Sequence, residues 1–238
     1  MPTYPLANLD LIPRAFGRGV VYYAVETDPT LPGADPDPIV WDGTTELFLK
    51  QLGATEGDIR FNPNGRTAAL TLPEESGDAP LEVIDVGGAP TLEIPLFLAD
   101  PDLIPIVSPR GVNHGGFSRI CDAAQRTLVI FPEAMLKTSG VGDACTYASP
   151  SWDAVNGFMV GGNVLSAAQE TLLELAFWAW AGYFDDPGVT WKGEPGDAGK
   201  AVESVTFHLV VNHGMPDGHY LWTRGDPSTF GIELGGAS

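Results

Sequence analysis

Basic residues are scarce in this 238-residue chain: 12 lysines and arginines stand against 31 aspartates and glutamates, for a formal net charge of −19. Tight DNA binding needs a basic footprint, and so does firm adhesion to an anionic membrane surface; the charge balance argues against both. Cysteine is nearly absent. Cys121 and Cys145 do not make a disulfide scaffold, and their spacing matches no zinc signature. They are expected to be buried free thiols in a protein made in a reducing compartment. Long apolar runs are missing as well: the longest uncharged one, Leu175–Phe184, is about half of what a spanning helix needs. Met1–Gly17 carries Asp10 and three prolines, so no signal-peptide core is expected there.

Glycine (29) and proline (21) are plentiful, which means frequent turns and argues against a helical bundle. Several segments alternate with period two, as half-buried strands do. In Thr91–Leu98, Leu92, Ile94, Leu96 and Leu98 share a face; in 204–212, Val205, Phe207, Leu209 and Val211 do. Gly19–Glu26, Thr67–Leu72, Leu81–Val86, Arg126–Phe131 and His219–Arg224 are further candidate strands. Gly87–Pro90 predicts a hairpin between 81–86 and 91–98, and the Pro-Asp-Gly at 216–218 predicts another between 202–213 and 219–224. Ser166-Ala-Ala-Gln169 has the form of a capping box, which predicts one long helix over Ser166–Phe184. A shorter helix is expected over Thr44–Leu52. The fold class is therefore mainly β: an antiparallel sandwich or partly closed barrel with one flanking helix.

Thr27–Asp42 holds four prolines and four aspartates and is expected to stay out of any sheet; loops of this length are usually functional or mobile. Charge is segregated along the chain. Residues 26–102 hold sixteen acids and three bases, whereas 110–137 hold Arg110, Arg119, Arg126 and Lys137 against two acids.

Catalytic patterns are sought with little return. Gly193–Ala201 resembles a phosphate loop but has five residues between its glycines and lacks the magnesium-binding hydroxyl. His213, His219 and Asp217 flank one predicted turn, as a metal site or as polar residues bonded to backbone and water. Asp35, Asp37, Asp185 and Asp186 lack the ligand spacing of a calcium loop. Trp152, Trp178, Trp180, Trp191 and Trp222 are candidates for sugar stacking, with core packing the competing account. No catalytic residue, cofactor or resident metal is expected.

Three stretches carry a resemblance. Ala79–Leu98 (APLEVIDVGGAPTLEIPLFL), the closing segment Gly199–Gly225 and the single helix between them resemble the tail tube (major tail) proteins of long-tailed bacteriophages. The resemblance implies one tail-tube-like β domain over 1–238, with 99–165 as a possible inserted lobe. It implies a non-enzymatic virion protein, made in the host cytoplasm, whose rings (hexameric in that family) stack into a tube and meet other tail proteins. Double-stranded DNA would pass through without specific binding, since an acidic wall repels phosphates. Another β-rich virion protein (capsid decoration, neck or tail terminator) and a carbohydrate-binding or glycoside-cleaving sandwich are the alternatives. Stacked rings join head to tail, so each subunit needs two complementary surfaces. Asp28, Asp35 and Asp37 are candidates for one and Arg110, Arg119 and Lys137 for the other. Trp180, on the all-round apolar end of the expected helix, is a third candidate contact.

Overall fold

The computed structural model describes residues 18–34, 36–55, 58–70, 82–98, 103–107, 112–113, 116–117, 125–139, 146–184, 190–191, 201–212, 214 and 222–227. Its strands are β1 (Gly19–Val25), β2 (Leu47–Thr55), β3 (Arg60–Asn62), β4 (Gly65–Leu70), β5 (Glu82–Gly88) and β6 (Thr91–Leu98). There follow β7 (Val112–Asn113), β8 (Gly116–Phe117), β9 (Arg126–Pro132), β10 (Lys137–Ser139), β11 (Thr146–Tyr147) and β12 (Pro150–Asp153). The last are β13 (Gly157–Val160), β14 (Asn163–Val164), β15 (Phe177–Phe184), β16 (Thr190–Trp191), β17 (Ala201–Leu209) and β18 (Trp222–Arg224). Among the described residues the helices are short: α1 (Ile104–Val107), α2 (Glu133–Leu136) and α3 (Ala167–Leu173). The protein is mainly β and antiparallel, as its alternating segments predict.

Six strands close on themselves. β2 pairs with β1, β1 with β9, β9 with β15, β15 with β17, β17 with β6, and β6 returns to β2 through Gly53↔Leu98 and Thr55↔Leu96. Closure removes the open edges that a flat sheet would leave. The ring's inside is apolar: Val21, Tyr23 and Val25 from β1, Leu128 and Ile130 from β9, Leu92, Ile94 and Leu96 from β6, and Val205, Phe207 and Leu209 from β17. β12, β13 and β14 extend the sheet outward from β2. With α2 and α3 they bury a second core on the outer face of β1, β9 and β15, built on Val20, Tyr22, Phe131, Trp41, Trp178 and Trp180. All seven residues of β1 and of β9 are buried, because successive side chains enter opposite cores.

That double burial corrects the expected helix over Ser166–Phe184. Ser166 does start a helix, with its backbone N–H donating to Gln169 Oε1 at 3.1 Å, but α3 stops at Leu173. Phe177–Phe184 is the strand β15. A strand covered on both faces reads as continuously apolar, without the alternation that separates it from a buried helix. A bulge between Ala179 and Gly182 shifts its register and lets Phe184 reach the barrel interior. The helix expected over Thr44–Leu52 is likewise a strand, β2; the Asp42 carboxylate caps a turn at Thr44 and Thr45, and β2 begins at Leu47.

Neither expected hairpin is found among the described residues. β5 pairs with β4 in a separate two-stranded sheet, and Ala89-Pro90 passes the chain into the barrel as β6. β17 has β6 along one edge and β15 with β16 along the other, so β18 pairs instead with the first half of β15, Ala179↔Trp222. Within 99–165, the described residues include the barrel strand β9 and the extension β12–β14.

Candidate functional site

Three of the seven sequence-derived contact candidates (Asp35, Arg110 and Arg119) lie outside the described residues, as do Cys121, Cys145, His213, His219, Asp217, Asp185, Asp186 and 193–200. Asp28 and Asp37 share the loop Thr27–Asp42. It keeps out of the sheet except for one bridge, Val25↔Pro38, and it is pinned along β1: Glu26 N–H donates to the Asp37 carbonyl at 3.0 Å and Ile39 N–H to the Ala24 carbonyl at 3.0 Å. At its far end Trp41 N–H donates to Thr127 Oγ1 (2.9 Å), and that hydroxyl donates on to the Trp180 carbonyl (2.7 Å). Asn212 Nδ2 reaches the Trp41 carbonyl at 2.8 Å. The loop is thus anchored by buried polar groups rather than by packing alone.

Asp28 accepts from the Thr30 hydroxyl (2.7 Å) and backbone N–H (2.8 Å), and these bonds hold its carboxyl below its ordinary pKa. It borders a cleft of about 310 Å³ against the β12–β13 hairpin, with Thr30, Phe48, Ser149 and Gly161 among its walls. Asp37 is exposed, and so is Lys137, which opens β10. Trp180 is fully buried. It stacks on Trp178 (5.4 Å between ring centroids) and Trp41 (5.9 Å), and donates from Nε1 to Thr223 Oγ1 at 3.1 Å. It therefore has no surface to offer a neighbouring subunit, which corrects its reading as a contact. Trp152 and Trp178 are core residues too.

Trp222 is not: 40% of it is exposed. It opens β18, and its ring meets Phe61 of β3; these two short strands extend different barrel strands. Its ring stacks on Phe177 (5.5 Å, 12° between planes) and meets Phe61 at 5.0 Å, 50°. Ile59, Leu92 and Arg224 complete a groove of about 330 Å³. Trp222 was among the sequence candidates for stacking; Phe61 and Phe177 were not, since nothing local marks residues more than a hundred positions apart as neighbours.

The buried Arg126 points into the barrel, its guanidinium 5.9 Å from the Tyr23 ring and 5.7 Å from that of Phe184. Burial lowers its pKa to about 10, with Tyr23 acting the other way, so it stays cationic at neutral pH. Among the described residues there is no group of three or more His, Cys, Asp or Glu placed to hold a metal ion, and no helix long and apolar enough to cross a membrane. Comparison with protein-family models and with curated proteins finds no match to the chain.

Proposed function

We propose that the chain is the structural subunit of a bacteriophage tail tube, a virion protein whose copies form rings that stack around a channel for DNA. The observation that carries this reading is the end of its sheet, which among the described residues has no further strand beside it. From the barrel the sheet runs through β12 and β13 to β14, where Asn163 and Val164 are both exposed and Val164 retains 62% of its surface. An exposed edge strand at the end of a rigid sheet is a template for the next copy, and a repeated heterologous contact whose rotation closes makes a ring. The net charge of −19 supports passage of DNA without retention, because a negative wall repels phosphates. The pinned Thr27–Asp42 loop, with Asp28 and Asp37, serves as one stacking surface and the exposed Lys137 belongs to the opposing one. Pre-ordering by the bridge at Pro38 lowers the entropy lost on docking.

Negative-stain microscopy of the purified protein tests this directly. Rings or tubes with a central channel are expected. Val164→Lys should leave monomers that melt like the parent, and Asp37→Lys should shorten tubes without preventing rings. A protein that stays monomeric at high concentration in both low and molar salt refutes the proposal.

A further inference from the structure

We propose that Asn156 is a self-modification site: at the tip of the β12–β13 hairpin it loses its amide nitrogen and becomes aspartate or isoaspartate. This chemistry goes beyond the tube reading and does not depend on it. The backbone nitrogen of the following residue bonds to the asparagine Cγ and the Cγ–Nδ2 bond breaks. The proton of the attacking nitrogen leaves with Nδ2 as ammonia. Water then opens the resulting cyclic imide at either carbonyl. A side chain on the following residue obstructs the attack, so glycine is the successor that permits it best.

Asparagine precedes glycine at Asn64-Gly65 and at Asn156-Gly157, and the fold separates the two. Asn64 Nδ2 donates to the Ala89 carbonyl at 2.8 Å and to Thr91 Oγ1 at 3.2 Å, on the chain between β5 and the start of β6. Its backbone lies so close to Gly88 that a Cβ there would strike the Asn64 carbonyl. Turning that peptide until the Gly65 nitrogen approaches Cγ has to displace β5. Asn156 stands in the open. Asp153 pairs with Gly157 around the turn Ala154–Asn156, whose three residues are exposed, Val155 to 91%. Nothing lies within 4 Å of where a Cβ on Gly157 would sit. The Asn156 amide is held by a solvent-exposed bond to Asp153 Oδ2 at 2.9 Å, and exposed tips open locally at small cost.

The product alters the turn that made it. Asp153 Oδ1 accepts from the N–H groups of Val155 (2.8 Å) and Asn156 (2.6 Å) while Oδ2 holds the amide, so one carboxylate organises the whole tip. Once the amide is lost, a second carboxylate faces the first, and repulsion replaces a hydrogen bond. The link between β12 and β13 loosens.

Ageing the full chain in mildly alkaline buffer, folded and in urea, tests the site, with peptide mapping by mass spectrometry and isoaspartyl methyltransferase labelling. In urea Asn64 and Asn156 should convert at similar rates, because only local sequence then governs them. In the folded protein Asn156 should convert at least about fivefold faster than Asn64, the weight of one additional hydrogen bond. Asn156→Gln, whose longer side chain cyclises poorly, should remove that signal and leave the slow one at Asn64. Asn156→Asp should lower the protection of the Val155 N–H against hydrogen exchange. Equal rates at the two sites in the folded protein, faster conversion at Asn64, or an Asn156 that converts only in urea overturns the assignment. Unchanged protection at Val155 in Asn156→Asp overturns the effect on the turn.

Discussion

Replacing Thr127 by valine isolates the hydroxyl that ties the acidic loop to the barrel wall. The two side chains have nearly the same shape, and Thr127 is fully buried, so neither cavity nor clash confuses the result. Its Oγ1 accepts from Trp41 N–H at 2.9 Å and donates to the Trp180 carbonyl at 2.7 Å. The carbonyl keeps a second donor in Asn212 Nδ2 at 3.3 Å, whereas valine offers Trp41 N–H no acceptor at all. A buried donor left without a partner costs ~1–3 kcal/mol, so Thr127→Val should lose about 2 kcal/mol. For a chain of this length that is a fall in Tm of roughly 4–8 °C. Thr127→Ser keeps the hydroxyl and loses one methyl group, at about 1 kcal/mol. Urea unfolding should therefore rank the parent above Ser and Ser above Val, with the slope unchanged and only the midpoint moving. Proteolysis within Thr27–Asp42 should quicken for Val, because the loop's anchor opens locally. Should Val equal or exceed Ser, the hydroxyl bridge contributes nothing net and the anchoring of the loop falls to packing alone.

Trp180→Glu should abolish soluble folded protein, since an unpaired carboxylate against the indoles of Trp41 and Trp178 costs several kcal/mol, while Trp180→Phe should fold with a lower midpoint in urea. Gly182→Ala should cost about 3 kcal/mol by thermal melting: a Cβ there meets the His208 carbonyl and the Phe207 ring, and a native-like Tm would place the bulge elsewhere. Partial burial raises the Asp42 pKa, but bonds from the Thr45 and Thr44 backbone N–H groups outweigh it and the net shift is downward. The stability Asp42 contributes is then complete above its unfolded pKa of about 4 and is lost as pH falls through its lower folded value. Asp42→Asn should accordingly flatten the melting-temperature profile below roughly pH 4 relative to the parent; superimposable profiles refute the coupling.

How much of this was legible in the sequence depended on whether a residue's environment is set by near neighbours. Thr91–Leu98 alternates because only one of its faces meets the barrel interior, so β6 could be placed to the residue. β1 and β9 were read as strands along with the period-two segments, although both of their faces are buried. Phe177–Phe184 was not, because burial on both faces removes the alternation, and eight apolar residues after a true helix start extend the helical pattern equally well. Turn chemistry misled for a related reason: Gly87–Pro90 suits a hairpin, yet β6 gains more by pairing with β17 over seven positions, Val202↔Phe97 to His208↔Thr91. The contact candidates fared according to their surroundings. Exposed Asp37 and Lys137 are where their polarity suggested, while Trp180 is satisfied within its own chain by Trp41, a residue 139 positions earlier. The groove of Phe61, Phe177 and Trp222 is wholly a product of topology.

The placing of β1, β9 and β15 between two cores also governs how the molecule can come apart. These strands are a partition wall: stripping away β12–β14 and α3 would bare Trp41, Trp178 and Trp180, and opening the barrel would bare Tyr23, Ile130 and Phe184 on the reverse side of the same wall. Neither half can be lost while the other is retained at full strength, so the barrel is not a separable module to which the outer layer was added. Evolution or engineering can lengthen the Thr27–Asp42 loop or recast the exposed edge at β14, but a change of side-chain volume in the wall must be answered in both compartments at once.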